Sequence, residues 1–270
     1  MRYALGLEFD GSGFTGWQSQ PDGRGVQDAL ERALAAIATA PVGTIAAGRT
    51  DAGVHATMQV VHFDTDADRP DTAWVRGVNA HLPAAVAVQW ARPVAADFHA
   101  RFAATARHYT YVLVAQPVRP ALLAGRVGWY HRPLDVAAMA RAVAALTGTH
   151  DFSAFRAAEC QAKSPVKTLT TARVEAVAGC IRFDFTANAF LHHMIRNIVG
   201  ALVFVGAGKE PESWLATLLA GGDRTRAAPT FAAAGLHLTG ADYAAAWGLP
   251  PTRRPLALPV PTAAPGAARD

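Results

Sequence analysis

The order of apolar patterns constrains this chain most: it spells strand–helix–strand–helix–strand and then loosely repeats that order. Residues 3–9 alternate as a strand, and Val26, Leu30, Ala33, Leu34 and Ile37 fall on one helical face. Residues 60–63 read as a strand, 72–79 as a helix and 86–90 as another strand. In the second half, residues 109–114 read as a strand, and Asp135 stands as cap of a helix carrying Met139, Val143 and Leu146. Residues 169–177 and 181–185 pair as a hairpin pattern. A long amphipathic helix follows from about 190 to 205, then a shorter one from Pro211 and a closing strand at 236–238. Two halves of like order suggest an internal duplication, with a faint local echo of Gly11 to Trp17 in Gly148 to Phe155.

With 51% hydrophobic and 17% charged residues, the 270-residue chain reads as a globular protein with a sizeable core. No run approaches the roughly 18 apolar residues of a membrane span. Met1-Arg2-Tyr3-Ala4 leads into the first strand without a signal-peptide layout, and Cys160 and Cys180 make no disulfide framework. A reducing cytoplasm is the expected compartment, with both thiols buried. The net charge of +4 leans mildly toward a polyanionic partner. Lysine occurs only at Lys163, Lys167 and Lys209. The arginine excess suits phosphate recognition, and GC-rich coding produces the same bias. From Leu249 onward, six prolines in 22 residues without periodicity predict a disordered or polyproline-like tail over 249–270.

Several chemistries are spelled but not supported. Gly11-Ser-Gly13-Phe-Thr-Gly16 is a literal G-x-G-x-x-G after a strand, the dinucleotide-binding pattern. That site needs a helix opening inside the loop, whereas Pro21, Gly23 and Gly25 delay any helix until about Val26. His192 and His193 are adjacent, so on a helix they point about 100° apart and share no ion comfortably. There is no H-E-x-x-H, C-x-x-C or zinc deaminase signature, so no catalytic metal is expected. Cys160 has no histidine at a recognisable spacing, and no G-x-S-x-G elbow occurs.

Three segments remain as candidates. Gly48-Arg49-Thr50-Asp51-Ala52-Gly53-Val54-His55 places a carboxylate among Arg49, Thr50 and His55 in a polar connection. The same residues also suit a turn in which Asp51 bonds its own backbone. On the helix from Phe190, Leu191, Met194, Ile195, Ile198, Val199, Leu202 and Val203 form a broad apolar face. His193, Arg196, Asn197 and Gly200 form a narrow polar stripe, suited either to a cleft with polar partners or to solvent. Arg107-His108-Tyr109-x-Tyr111 is a basic–aromatic cluster that can hold a nucleobase or pack in a core.

Taken in order, these segments resemble the TruA-type tRNA pseudouridine synthases. The resemblance is carried by Phe9-Asp-Gly-x-Gly-Phe-x-Gly-Trp-Gln18, Val26-Gln27, the segment from Gly48 to His55, Gly77-Val-Asn79 and Phe98-His-Ala-Arg-Phe102. It continues through Arg107-x-Tyr109-x-Tyr111, Gly148-x-His-Asp-Phe152 and Phe190-x-His-His-Met-x-Arg-Asn-Ile-Val-Gly200. It covers residues 1 to about 245. It implies an α+β fold of two pseudo-repeated halves, expected at 1–105 and 106–248, with antiparallel or mixed sheets, flanking helices and a central RNA-binding cleft. It also implies isomerisation of uridine at positions 38, 39 and 40 of the tRNA anticodon stem-loop, by a homodimer without cofactor. The family's catalytic aspartate falls on Asp51, its substrate-facing tyrosine on Tyr109, and the arginines about the aspartate on Arg49 and Arg196. An ion pair between Asp51 and Arg196 is the corresponding expectation.

This chain departs from the family pattern at three places. Gly25 stands where threonine is favoured, which predicts a weaker helix cap; Met58 replaces a usual glycine, and Lys167 an expected arginine.

Overall fold

Strand β1 (Arg2–Phe9) is interior on both faces, with Tyr3, Leu5, Leu7 and Phe9 on one side and Ala4 on the other all buried. It opens a computed structural model that describes residues 1–177 and 179–257. Among the described residues the chain forms two units, Met1–Tyr109 with His237–Pro255, and Thr110–Leu236 with Leu256 and Ala257. The first boundary thus falls at Tyr109, a few residues past the expected 105. The chain also returns to its first unit near its end, which a linear reading of the repeat does not anticipate.

In chain order the first unit contains β1, α1 (Val26–Ala38), β2 (Thr44–Ala46), β3 (His55–Asp64), α2 (Val78–His81) and β4 (Val86–Val94). Strand β5 (Ala106–Ala115) crosses the boundary. The second unit follows with β6 (Gly128–Tyr130), α3 (Val136–Val143), β7 (Gly148–Asp151), β8 (Val166–Val177), β9 (Cys180–Ala187), α4 (Met194–Gly206) and α5 (Trp214–Gly221), and β10 (Leu236–Asp242) leads back. In the first unit, β1 lies antiparallel between β3 and β4, β2 flanks β3, and β10 runs parallel to β3. In the second, β8 lies antiparallel between β7 and β9, and β6 runs parallel to β5. The fold is α+β, as the resemblance implies. Among the described residues no helix is long and apolar enough to cross a membrane.

Local chemistry explains where elements start. Val26, Leu30, Ala33 and Leu34 of α1 are buried at helical spacing. As expected, Gly25 gives this helix no side-chain cap, and only the reciprocal half of a capping box remains, with Asp28 Oδ2 accepting the Gly25 N–H at 2.8 Å. A Cβ on Gly25 would lie 2.6 Å from the Gln18 carbonyl oxygen, so a side chain there would displace the loop. Asp135 caps α3 as expected, accepting from Ala138 N–H at 2.9 Å. Met58 is buried on β3, and Lys167 Nζ donates to the carbonyls of Ser164 and Val166 at 2.6 and 2.9 Å.

Two expectations need correction. The long helix begins at Met194 rather than Phe190, because His193 is left-handed at φ 59° and cannot continue a helix backward. His192 and His193 therefore precede the helix, with rings 4.0 Å apart. The tail expected to be disordered from Leu249 divides. Residues 258–270 lie outside the described residues, whereas the segment before them is bonded into the first unit. Ala241 N–H donates to Thr252 O at 3.1 Å and Arg254 N–H to Thr239 O at 2.9 Å. Arg254 also reaches Glu8 at 2.6 Å. Prolines 250, 251 and 255 lack donors, but Thr252, Arg253 and Arg254 between them retain theirs, and these suffice for a short antiparallel bridge.

Candidate active site

The segment from Ala47 to Val54 is irregular, so most of its backbone partners lie outside it. Arg107 Nε and Nη2 donate to Ala47 O at 3.2 and 3.0 Å, and Gln59 Nε2 donates to Gly48 O at 2.6 Å. Trp17 N–H donates to Thr50 O at 3.0 Å, and Val54 N–H closes the turn on Asp51 O at 3.1 Å. Gly53 supplies the turn's left-handed residue at φ 77°. The half-buried Asp51 thus sits in a turn held by an arginine, a glutamine and a tryptophan main chain, immediately before β3.

The glycine loop presses on this turn. Gly16 is left-handed at φ 104°, and a Cβ on it would lie 2.8 Å from Thr50 O; one on Gly11 would lie 2.0 Å from Val54 O. Gly11 N–H donates to His55 Nδ1 at 3.1 Å, so that nitrogen supports the loop rather than Asp51. The G-x-G-x-x-G spelling therefore reflects close backbone packing. The first amides of α1, on Val26 and Gln27, are taken by the carbonyls of Gly16 and Trp17, both at 3.0 Å. A pyrophosphate would need those donors.

Tyr109 is 8% exposed, and a Cβ on Gly48 would lie 3.8 Å from its hydroxyl. Burial first, and then the nearby Asp51 carboxylate, push that hydroxyl well above the ordinary tyrosine range. It stays protonated at neutral pH and can donate a hydrogen bond. Arg49 is exposed beside Asp51 in sequence. The first unit thus gathers Asp51, Arg49 and Tyr109 on two segments. Arg196 belongs to the second unit, on α4, where its Nε donates to Phe231 O at 2.9 Å and its own carbonyl accepts Phe231 N–H at 3.2 Å. Of the rest of the expected polar stripe, Asn197 meets polar partners: it is fully buried, donating to Phe155 O at 2.8 Å and accepting from Thr230 Oγ1 at 2.7 Å. Tyr111 is a core residue, its hydroxyl donating to Ala232 O at 2.8 Å.

A family model described as tRNA pseudouridine synthase matches residues 7–103 and 142–244. The chain belongs to the tRNA pseudouridine synthase family. It is 63% identical over 250 residues to the tRNA pseudouridine synthase A of Thiobacillus denitrificans, covering 93% of this chain and 96% of that protein. The namesakes from Chromobacterium violaceum and Dechloromonas aromatica are 62% and 59% identical, with 96% and 95% of their lengths covered. Within the family frame, the sequence reading missed Gln59 and the packing role of Gly11 and Gly16. Gln59 sits mid-strand with no local signal, since its partner Gly48 lies in the irregular segment before that strand. The glycines carried a signal, but their spelling pointed to a different chemistry.

Proposed function

We propose that this chain isomerises uridine to pseudouridine at positions 38, 39 and 40 of the tRNA anticodon stem-loop, as a cytoplasmic homodimer. Asp51 is the catalytic group, while Tyr109, Arg49 and Arg196 bind substrate. The observation that carries the reading is the Asp51 turn, gripped from outside and set beside a buried, protonated Tyr109. Reactivity of this kind depends on a carboxylate held in fixed geometry.

The reaction breaks the bond from ribose C1′ to N1, turns the uracil, joins C1′ to C5 and releases the C5 proton, while N1 gains one. Substrate and product are isomers, so no donor, oxidant or reductant enters. A single carboxylate is sufficient covalent machinery. The target base has to leave its stack to meet Asp51. Tyr109, whose hydroxyl holds its proton, is suited to stack on that base and donate a hydrogen bond rather than to serve as a free phenolate. The arginines suit the phosphates and shape of the folded RNA.

Incubation of the protein with unmodified tRNA transcripts, with a chelator and without nucleotides, tests this. Pseudouridine is expected at positions 38–40 where uridine is present. Formation only at other positions would overturn the site assignment, and formation nowhere would overturn the reading as a whole.

A further inference from the structure

We infer that Arg107 is a positioning residue for Asp51, acting through the Ala47 carbonyl rather than on the substrate; this rests on the catalytic reading of Asp51. Arg107 is near the start of β5, two residues before Tyr109 and so on the same strand face. Its guanidinium is half-buried and spread over main-chain carbonyls of separate segments. Nε and Nη2 bracket Ala47 O, Nη1 donates to Ala104 O at 2.9 Å, and Nη2 also reaches Arg101 O. A planar fork can hold several fixed acceptors at once, which a lysine ammonium on a flexible stem does less well.

The position of the grip matters more than its strength. Ala47 is four residues before Asp51, and the next carbonyl, Gly48 O, is held by the buried Gln59. One strand therefore presents Tyr109 directly and fixes the entry of the Asp51 turn through Arg107. The two groups are registered against each other by a single element. Tyr243 secures the other side of the same bracket, its hydroxyl donating to Ala100 O at 2.7 Å in the turn that carries Arg101. A guanidinium needed only for stability would have no reason to report on the chemical step.

The test compares Arg107→Met, Arg107→Lys and Asp51→Asn in single-turnover pseudouridine formation at saturating tRNA, beside tRNA Kd and thermal melting. For Arg107→Met the expected result is a rate lower by roughly 10²-fold, the scale of a small misplacement of a reacting group. Its Kd should stay within about threefold of the parent, because Arg107 acts on the chemical step and not on binding. Arg107→Lys should fall between, rescuing part of the rate. A wild-type rate in Arg107→Met, or a loss confined to Kd, would overturn the inference. If Arg107→Met does not fold, Arg107→Lys decides, since a folded variant with the parent's rate overturns it and a slower one with unchanged Kd sustains it. Activity in Asp51→Asn would instead remove the reading on which the inference stands. An inactive Asp51→Asn beside a fully active Arg107→Met removes the inference alone.

Discussion

The Asp51 turn and helix α4 solve the same problem of placing a polar group in opposite ways. In α4 the backbone satisfies itself, and side chains such as Asn197 are free to lock neighbouring loops. In the Asp51 turn the backbone cannot satisfy itself, so Arg107, Gln59 and Trp17 supply partners from elsewhere. A helix residue such as Asn197 is therefore robust in position and contributes mainly stability. A turn residue owes its position to remote partners, so damage there should reach activity before it reaches the fold.

The sharpest attempt to break this comparison is Gly16→Val. A β-branched residue at φ 104°, with its Cβ 2.8 Å from Thr50 O, must push the Asp51 turn away. Activity is expected to fall by at least about 10²-fold, together with a stability loss of about 1–3 kcal/mol. Unchanged turnover would show that the loop does not position the turn. Tyr109→Phe should come next, with the ring retained and the hydroxyl gone. Single-turnover rate should drop by about tenfold or more while tRNA Kd holds, and equal rates would reduce Tyr109 to stacking. Asn197→Ala makes the opposite case on the helix side. It leaves the Phe155 carbonyl and the Thr230 hydroxyl without this partner, so a loss of about 1–3 kcal/mol is expected in thermal or urea unfolding. Activity at a permissive temperature should change little.

The mildest effect should come from acid. His62 Nδ1 accepts from Ala100 N–H at 3.1 Å, which requires a neutral ring, and burial first, then Arg2 and His99, push its pKa down to about 4. The unfolded chain takes up that proton near the ordinary value of 6.5, so stability should fall as pH drops from about 6.5 toward 4. Melting of His62→Gln should be flatter over that range. A parent protein whose melting temperature is constant from pH 7 to 4 would contradict the assignment.

How much of this was legible from residues alone depends on whether the signal was local. Strands β1, β3, β4, β5, β8, β9 and β10, with α1 and α3, follow from short-range periodicity and caps, and Asp135 caps where its sequence says; β2, β6 and β7, of three or four residues each, are too short to show a period. The helix before Arg196 was read one turn too long, because nothing local marks His193 as left-handed. The end of the chain was read as structureless from its prolines, while Thr252 and Arg254 bond to a strand that lies close only in the folded chain. The proposed catalytic segment from Gly48 to His55 was recognisable through the family's ordered motifs, whereas by itself it fitted an ordinary turn better. What holds that turn was hidden, since Arg107 and Gln59 reach it across the sheet.

The central claim is that Asp51 performs the chemistry from a prearranged turn, and Asp51→Asn tests it most directly. The substitution keeps the shape and most hydrogen-bonding capacity but removes the negative charge. Pseudouridine formation should be measured under single turnover, with saturating tRNA and melting checked in parallel. The account predicts a folded protein that binds tRNA like the parent and forms no pseudouridine. A folded Asp51→Asn that turns over at the parent's rate would contradict it.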